Sequence, residues 1–141
     1  MQPTNIWLKW VQYAHNDIKI AINEMSKLVN PKSRPYEGIL YHCQQCAEKM
    51  LKAYLVQKGT PAWGHDLEML RSECAKHDAS FNATRLINHC VFLSAFIGAR
   101  YPDFTTSVDA ANAARGINSA KRVYDFVSDK LGEGKLFFQD K

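Results

Sequence analysis

The stretch from Tyr36 to Lys58, YEGILYHCQQCAEKMLKAYLVQK, decides the fold class of this chain. Its apolar residues recur at intervals of three and four, which is the period of one face of an α-helix. They are Tyr36, Ile39, Leu40, Cys43, Ala47, Met50, Leu51, Tyr54 and Leu55. Gly59 follows directly, and glycine is typical of a helix C-terminus. The stretch therefore predicts one long amphipathic helix.

The same period continues on both sides of this helix. It predicts a first helix over about 6–29, a third over 65–76, a fourth over 82–99 and a last over 108–131. Ser107 is suited to cap the last helix, with Asp109 placed well for the helix dipole. No segment shows the alternation of a β-strand.

Long amphipathic helices joined by short turns predict an all-α protein, an up-and-down antiparallel bundle of about five helices. We expect one domain over residues 1–141, with the bundle over about 6–131 and a short C-terminal tail. Four apolar residues lie off the main stripes of the last two predicted helices. A second apolar face of this kind indicates either a broad core or a homodimer surface. These residues are Phe92, Phe96, Val123 and Phe126.

Composition narrows the class of protein. A hydrophobic content of 46% provides for a packed core, and the net charge of +4 is compatible with an anionic partner without requiring one. The sequence has no apolar run long enough for a membrane span and no secretory leader pattern, so we expect a cytoplasmic protein that does not bind membranes. The four cysteines lack zinc-ligand spacing, and we expect reduced, structural thiols with no metal and no cofactor.

The second predicted helix also has a polar face. Four of its side chains share that face, with Gln44 and Lys49 at its flanks; the four are Tyr41, Gln45, Glu48 and Lys52. Amide, carboxylate and ammonium groups suit the polar edges and phosphates of a nucleotide. A solvated helix face with Glu–Lys pairs would have the same spacing.

Three segments resemble one known family in both motif and order. They are HCQQCAEKMLKAYLVQKG (42–59), HDLEML (65–70) and ARYPD (99–103), and they follow a first helix with Asp17, Ile18 and Ala21 in a D-φ-x-x-A pattern. Together they resemble the HEPN domain, whose name stands for higher eukaryotes and prokaryotes nucleotide-binding. The resemblance covers about residues 7–131.

The resemblance implies a helical bundle that often forms homodimers. It also implies a small minimal nucleotidyltransferase as a frequent partner, in modules that resemble toxin–antitoxin pairs. Some HEPN branches are metal-independent ribonucleases of toxin type with an Arg-x(4–6)-His motif. Arg71 and His77 fit that spacing, but they end the third predicted helix, where the motif is not expected. Arg100 lies nearer the expected place, yet the window that follows holds Thr105 to Ser107 and no histidine.

We therefore predict a binding module for a nucleotide or RNA rather than an enzyme. We assign no catalytic residue, and Arg71 and His77 are the candidates if the chain is a ribonuclease. A purely structural dimeric adaptor is the other alternative. The predicted binding residues are Gln45, Lys49, Lys52, His65, Arg100 and Tyr101. Capping by His65, and closure of a turn by Arg100 and Tyr101, remain alternatives for those three residues.

Overall fold

A computed structural model describes residues 6–27 and 35–132 of the chain. They form five α-helices and one turn of 3₁₀-helix: α1 (Ile6–Ser26), α2 (Tyr36–Gln57), α3 (Leu67–Ala75), the 3₁₀ turn (Ala79–Asn82), α4 (Thr84–Ser94) and α5 (Ala110–Leu131). No β-strand occurs within the described ranges, and the predicted all-α bundle of about five helices is confirmed. Nor does any helix in these ranges combine the length and the apolar content needed to cross a membrane.

Helix α2 is the centre of the bundle, because α1 and α5 both pack along it. Its predicted apolar stripe is buried, with Tyr36 only partly so. The opposite side of the helix is also enclosed, and Gln44, Glu48 and Lys52 are buried there. The polar side of α2 is therefore largely withdrawn from solvent, and its charges need partners inside the protein.

Small residues allow α5 to approach α2 closely. Ala113, Gly116 and Ala120 are buried on the face of α5 that forms part of the core. A Cβ atom at position 116 would lie only 2.7 Å from Cδ2 of Leu40. A larger residue at this position would therefore have to displace the end of the Leu40 side chain for α5 to lie where it does against α2.

Aspartate side chains cap the N-termini of two of the helices. The side chain of Asp66 accepts hydrogen bonds from the backbone N–H groups of Glu68 and Met69, so α3 starts after Asp66. At α5 the carboxylate of Asp109 accepts from the N–H of Asn112 at 2.8 Å. Asp109, and not Ser107, is thus the N-cap of α5, and the prediction of Ser107 was wrong.

Two predicted helix ends lie elsewhere in the structure. Helix α4 stops at Ser94 instead of residue 99, because the chain turns into hydrogen bonds between residues three apart: the N–H of Phe96 donates to the carbonyl of Leu93, and that of Ala99 to the carbonyl of Phe96. Gly98, a poor helix former, lies within this segment. Helix α1 ends at Ser26, and its predicted last residue, Val29, lies outside the described residues. The stop after α2 is confirmed, since Gly59 has a φ of +75°.

The off-stripe apolar residues mainly broaden the core. Phe96 and Val123 are buried, and the half-buried ring of Phe126 packs edge-on against Phe81 with 5.1 Å between ring centroids. Phe92 is also half-buried, and the guanidinium of Arg115 lies 4.0 Å from the centre of its ring. For Phe96 and Val123 the broad-core alternative is correct.

Candidate functional site

The polar side chains of α2 form a continuous row, which we call the polar strip. It consists of Tyr41, His42, Gln44, Gln45, Glu48, Lys49 and Lys52. Residues three and four apart on a helix face the same direction, so the sequence alone aligns most of this row. The structure adds what the row touches: α1 on one side and the start of α3 on the other.

The first network in the strip is centred on Asp17 of α1, a buried carboxylate. One oxygen accepts from Nδ1 of His42 at 2.7 Å, and the other accepts from Nζ of Lys49 at 2.6 Å. A buried carboxylate is tolerated when its charge and hydrogen bonds are satisfied, and here an ammonium group and an imidazole do so. The network also fixes the register of α1 on α2. The lysine side chain is 22% exposed, so Lys49 still reaches the surface.

The second network is centred on Glu48, whose side chain is only 4% exposed. Its carboxylate accepts from Nζ of Lys52 at 3.0 Å and from Nδ1 of His65 at 2.9 Å. The side-chain amides of Gln44 and Gln45 each donate to its other oxygen at 3.2 Å. The carboxylate thus orients an imidazole whose ring is 70% exposed. Nε2 of His65 is the ring nitrogen left for a ligand.

Aromatic rings of α1 lie against the cations of the strip. Nζ of Lys52 is 5.6 Å from the ring centre of Trp10, and Nζ of Lys49 is 6.0 Å from that of Tyr13. These distances are within the range of cation–π attraction. Tyr13 is 57% exposed and, with Trp10, Ile6 and Lys9, lines a shallow groove of about 230 Å³.

Arg100 joins the strip at its other end. Its guanidinium carbon lies 3.8 Å above the ring centre of Tyr41, and that ring contacts His42 edge-on. Stacking uses the face of the guanidinium and leaves its N–H groups, which lie in its plane, able to bind an anion. Tyr101 is 62% exposed, and in the described part of the chain only its backbone forms hydrogen bonds: its N–H donates to the carbonyl of Gly98, and its carbonyl accepts from the N–H of Phe104. It lines a cavity of about 320 Å³ together with Arg100, Glu37 and Phe104.

The predicted binding residues therefore differ in availability. His65, Arg100 and Lys49 reach the surface, and Gln45 is half-buried beside Glu48. Lys52 is 7% exposed and its ammonium group is paired with Glu48, so it serves mainly to balance a buried charge. The solvated-face alternative is wrong for the centre of the strip, because α1 and the start of α3 cover it.

Arg71 and His77, the candidate ribonuclease residues, each contact a different set of residues. Arg71 is buried, and its guanidinium donates to both oxygens of Glu68 at 3.1 Å and to the carbonyl of Phe81 at 3.0 Å. Nε2 of His77 lies 2.8 Å from Oγ1 of Thr60. No contact joins Arg71 to His77 within the described residues, and Arg71 ties α3 to the 3₁₀ turn.

The cysteines are buried and free, as predicted. Burial raises the pKa of both Cys43 and Cys90 to about 12, with a smaller contribution from Asp17 at Cys43 and from Glu68 at Cys90. Such thiols stay protonated near neutral pH and are poor nucleophiles. No group of histidine, cysteine or carboxylate side chains within 6–27 and 35–132 has an arrangement able to hold a metal ion.

Sequence reasoning missed Asp17, His42, Trp10 and Tyr13 as parts of the site. A signal for Asp17 was present, because a carboxylate three residues after Ala14 and next to Ile18 borders the apolar stripe of the first helix. A charge in that place indicates a buried partner on a neighbouring helix. Neither aromatic ring carried a comparable signal, since both fit an ordinary helix surface.

Comparisons with known proteins agree with the architecture. The sequence model of the HEPN domain matches residues 7–131. A crystal structure of a protein from Thermus thermophilus is similar with a TM-score of 0.77 and 21% identity, covering 89% of this chain and 98% of that one. An archaeal HEPN homologue is similar with a TM-score of 0.68 and 23% identity, covering 92% and 98%.

At these identities the two structures support the fold alone. A search among curated proteins gave no match. The family match extends from the first turn of α1 to the last residue of α5, and so includes both networks of the polar strip. The chain belongs to the HEPN domain family.

Proposed function

We propose that this chain is a binding module that holds a nucleotide, or a short stretch of RNA, on the polar strip. The observation that carries the proposal is the set of polar surface groups and aromatic rings along and beside the polar strip, each polar group placed by an internal contact. His65 is oriented by Glu48, Lys49 by Asp17, and Arg100 by the ring of Tyr41. Groups that are fixed in advance lose less entropy when they bind.

The phosphate would be bound by the exposed polar groups along and beside the strip. Arg100 offers in-plane N–H donors, which suit phosphate oxygens, and His65 offers Nε2 as a further polar contact. Lys49 adds a partly exposed positive charge. Lys52 contributes little to phosphate attraction in this proposal, because Glu48 neutralises it at 3.0 Å.

The base would stack on the α1 side of the strip. Tyr13 presents an exposed ring, and Trp10 forms part of the same shallow groove. Stacking on aromatic side chains tolerates different bases, while phosphate contacts carry no sequence information. We therefore expect weak base preference and binding that weakens as salt concentration rises.

Calorimetry with ribonucleotides and a short single-stranded RNA, at low and at physiological salt, tests the proposal. Arg100→Gln should weaken binding about tenfold, because a charge-assisted hydrogen bond is lost. Lys19→Gln is the charge-matched control: Lys19 is exposed, and its place two residues after Asp17 turns it away from α2. Equal loss in both variants, or no binding by the wild-type chain, would contradict a site on the strip.

The ribonuclease alternative draws little support from the contacts of Arg71, whose donors are used inside the fold. Incubation of RNA with the protein in a metal chelator tests it directly. His77→Gln is the appropriate variant, since His77 is exposed and the fold should tolerate the change. Loss of cutting in that variant would establish the alternative.

The homodimer and the nucleotidyltransferase partner implied by the family are further proposals. Val91 and Ile97 are exposed apolar residues on α4 and just after it, at 53% and 45%, and they offer a self-association surface. Sedimentation of Val91→Glu against the wild-type chain tests the dimer, because a charge in an apolar interface is left unpaired. If self-association persists and no nucleotide binds, the structural adaptor becomes the better description.

A further inference from the structure

A cationic cavity of about 300 Å³ lies between α4 and α5, and we call it the basic cavity. Its walls include Arg85 and His89 of α4 and Arg122 of α5, and Leu86 and Phe126 supply apolar lining. Arg85 and His89 are four residues apart on one helix face, so both side chains reach the same opening. None of these residues belongs to the polar strip.

The arginines of the basic cavity have no ion-pair partner among the described residues. Neither Arg85 nor Arg122 forms an ion pair with any residue of the described ranges, and the guanidinium of Arg115, nearby on α5, lies against the ring of Phe92. Asp125 is a carboxylate on the cavity lining and offsets part of this charge. Two guanidinium groups against one carboxylate leave the lining with a net positive charge.

The first turn of α4 adds to the positive potential. Ala83, which also lines the cavity, is the N-cap of α4 and has no side chain able to accept a hydrogen bond. The first N–H groups of a helix have no partner inside the helix, and they favour anions. Together with the two arginines, this uncapped end makes the cavity a place where an anion would find several donors.

His89 lies between the two helices at the side of the cavity. Its Nδ1 lies 2.9 Å from Oγ of Ser119 on α5, so Nε2 is the nitrogen left for a ligand. Burial lowers the pKa of His89, and Arg122, Arg115 and Arg85 lower it further. A bound anion would offset the repulsion from the arginines and favour the protonated ring, which adds another donor.

We propose that the basic cavity is a second binding site, which takes a phosphate group between Arg85, His89 and Arg122. The phosphate belongs either to a mononucleotide or to the backbone of a nucleic acid, since both present the same oxygens to these donors. Leu86 and Phe126 add the apolar lining that ligand sites commonly have. The proposal does not depend on the polar strip.

NMR of the full chain tests the site directly, with inorganic phosphate added at constant ionic strength at pH 6.0 and at pH 7.5. The ring signals of His89 should shift and saturate, and the bound anion should raise the pH at which these ring signals titrate, because it favours the protonated imidazole. Arg122→Gln should weaken binding about tenfold. Absence of a saturable shift at His89 would overturn the proposal.

Lys121→Gln is the matched control, because Lys121 is exposed, adjacent to Arg122 and outside the cavity lining. It should change half-saturation less than about twofold. An equal loss in both variants would mean that only net charge matters, and would overturn the site. Arg100→Gln should leave the His89 signals unaffected, which separates this test from that of the polar strip.

Competition then identifies the source of the phosphate. Displacement of inorganic phosphate by a 5′-mononucleotide points to a nucleotide, and displacement by a short single-stranded RNA alone points to a nucleic-acid backbone. Failure of both to compete would contradict the proposal, since the cavity would then bind an adventitious ion only.

Discussion

The polar strip of α2 and the basic cavity between α4 and α5 both contain cationic side chains. The two regions differ in whether these cations are paired with carboxylates. In the strip, Lys49 and Lys52 each face a buried carboxylate within 3.0 Å. In the cavity, Arg85 and Arg122 have no such partner among the described residues. Buried charges must be paired to be tolerated, whereas surface charges need not be. The strip therefore stabilises the fold and binds through its outer groups, while the cavity arginines have no comparable role in the fold.

The largest expected effect follows from removing a carboxylate from the strip. Glu48→Gln leaves the ammonium group of Lys52 buried without its counter-charge, and we expect a loss of about 3–5 kcal/mol in the free energy of unfolding. Glu24→Gln is the control, because its pair with Lys27 lies at the surface. That change should cost less than about 1 kcal/mol in urea unfolding. Similar losses in both variants would erase the distinction between buried and exposed pairs.

A smaller effect tests how tightly α5 packs against α2. Gly116→Ala places a Cβ atom 2.7 Å from Leu40, and overpacking of this kind costs about 1–3 kcal/mol. Gly38→Ala is the matched control, since the nearest atom to its Cβ would be 4.0 Å away. At position 38 the substitution should leave the free energy of unfolding unchanged or raise it by up to about 1 kcal/mol, because alanine has the higher helix propensity. Stabilisation by both changes would show that α5 does not approach α2 this closely.

The smallest effect concerns the pH dependence of stability at the cavity. Because the pKa of His89 is lowered in the folded protein, the unfolded chain binds its proton more readily. This contribution to stability is present above about pH 6.5 and is lost as the pH falls through the lower folded value. His89→Gln should therefore reduce the loss of stability between pH 7.5 and pH 5.5, measured by urea unfolding. An unchanged pH dependence would mean that burial and the nearby arginines do not lower the pKa of His89.

Much of the fold follows from periodicity in the sequence. The stripe of α2 predicts its length to within one residue, and the α5 stripe predicts its end at Leu131. The end of α4 was wrong, because hydrogen bonds between residues three apart replace the helix after Ser94. Whether this segment forms such turns or continues the helix depends on how Phe96 and Ala99 pack. The spacing of apolar residues in the sequence does not reveal that packing.

The candidate site was only half predictable, for a physical reason. Residues that share one helix face can be aligned from sequence, and so Gln45, Lys49 and Lys52 were found together. Whether a second helix covers that face depends on tertiary packing. Asp17 is 32 residues from Lys49, and His89 is 30 residues from Ser119. Contacts between residues this far apart in the sequence decide which charges are neutralised. The periodicity of the sequence does not reveal such contacts.

Mapping of RNA binding by NMR tests the central claim most directly, because it reports every backbone amide in one titration. Addition of a short single-stranded RNA at low salt should shift the amides of Lys49, His65 and Arg100 in a saturable way, and these shifts should diminish as salt is added. The indole signal of Trp10 should move with them if bases stack on the α1 side of the strip. Binding of RNA that leaves these signals unchanged, or RNA at low salt that moves no amide at all, would contradict a binding site on the polar strip.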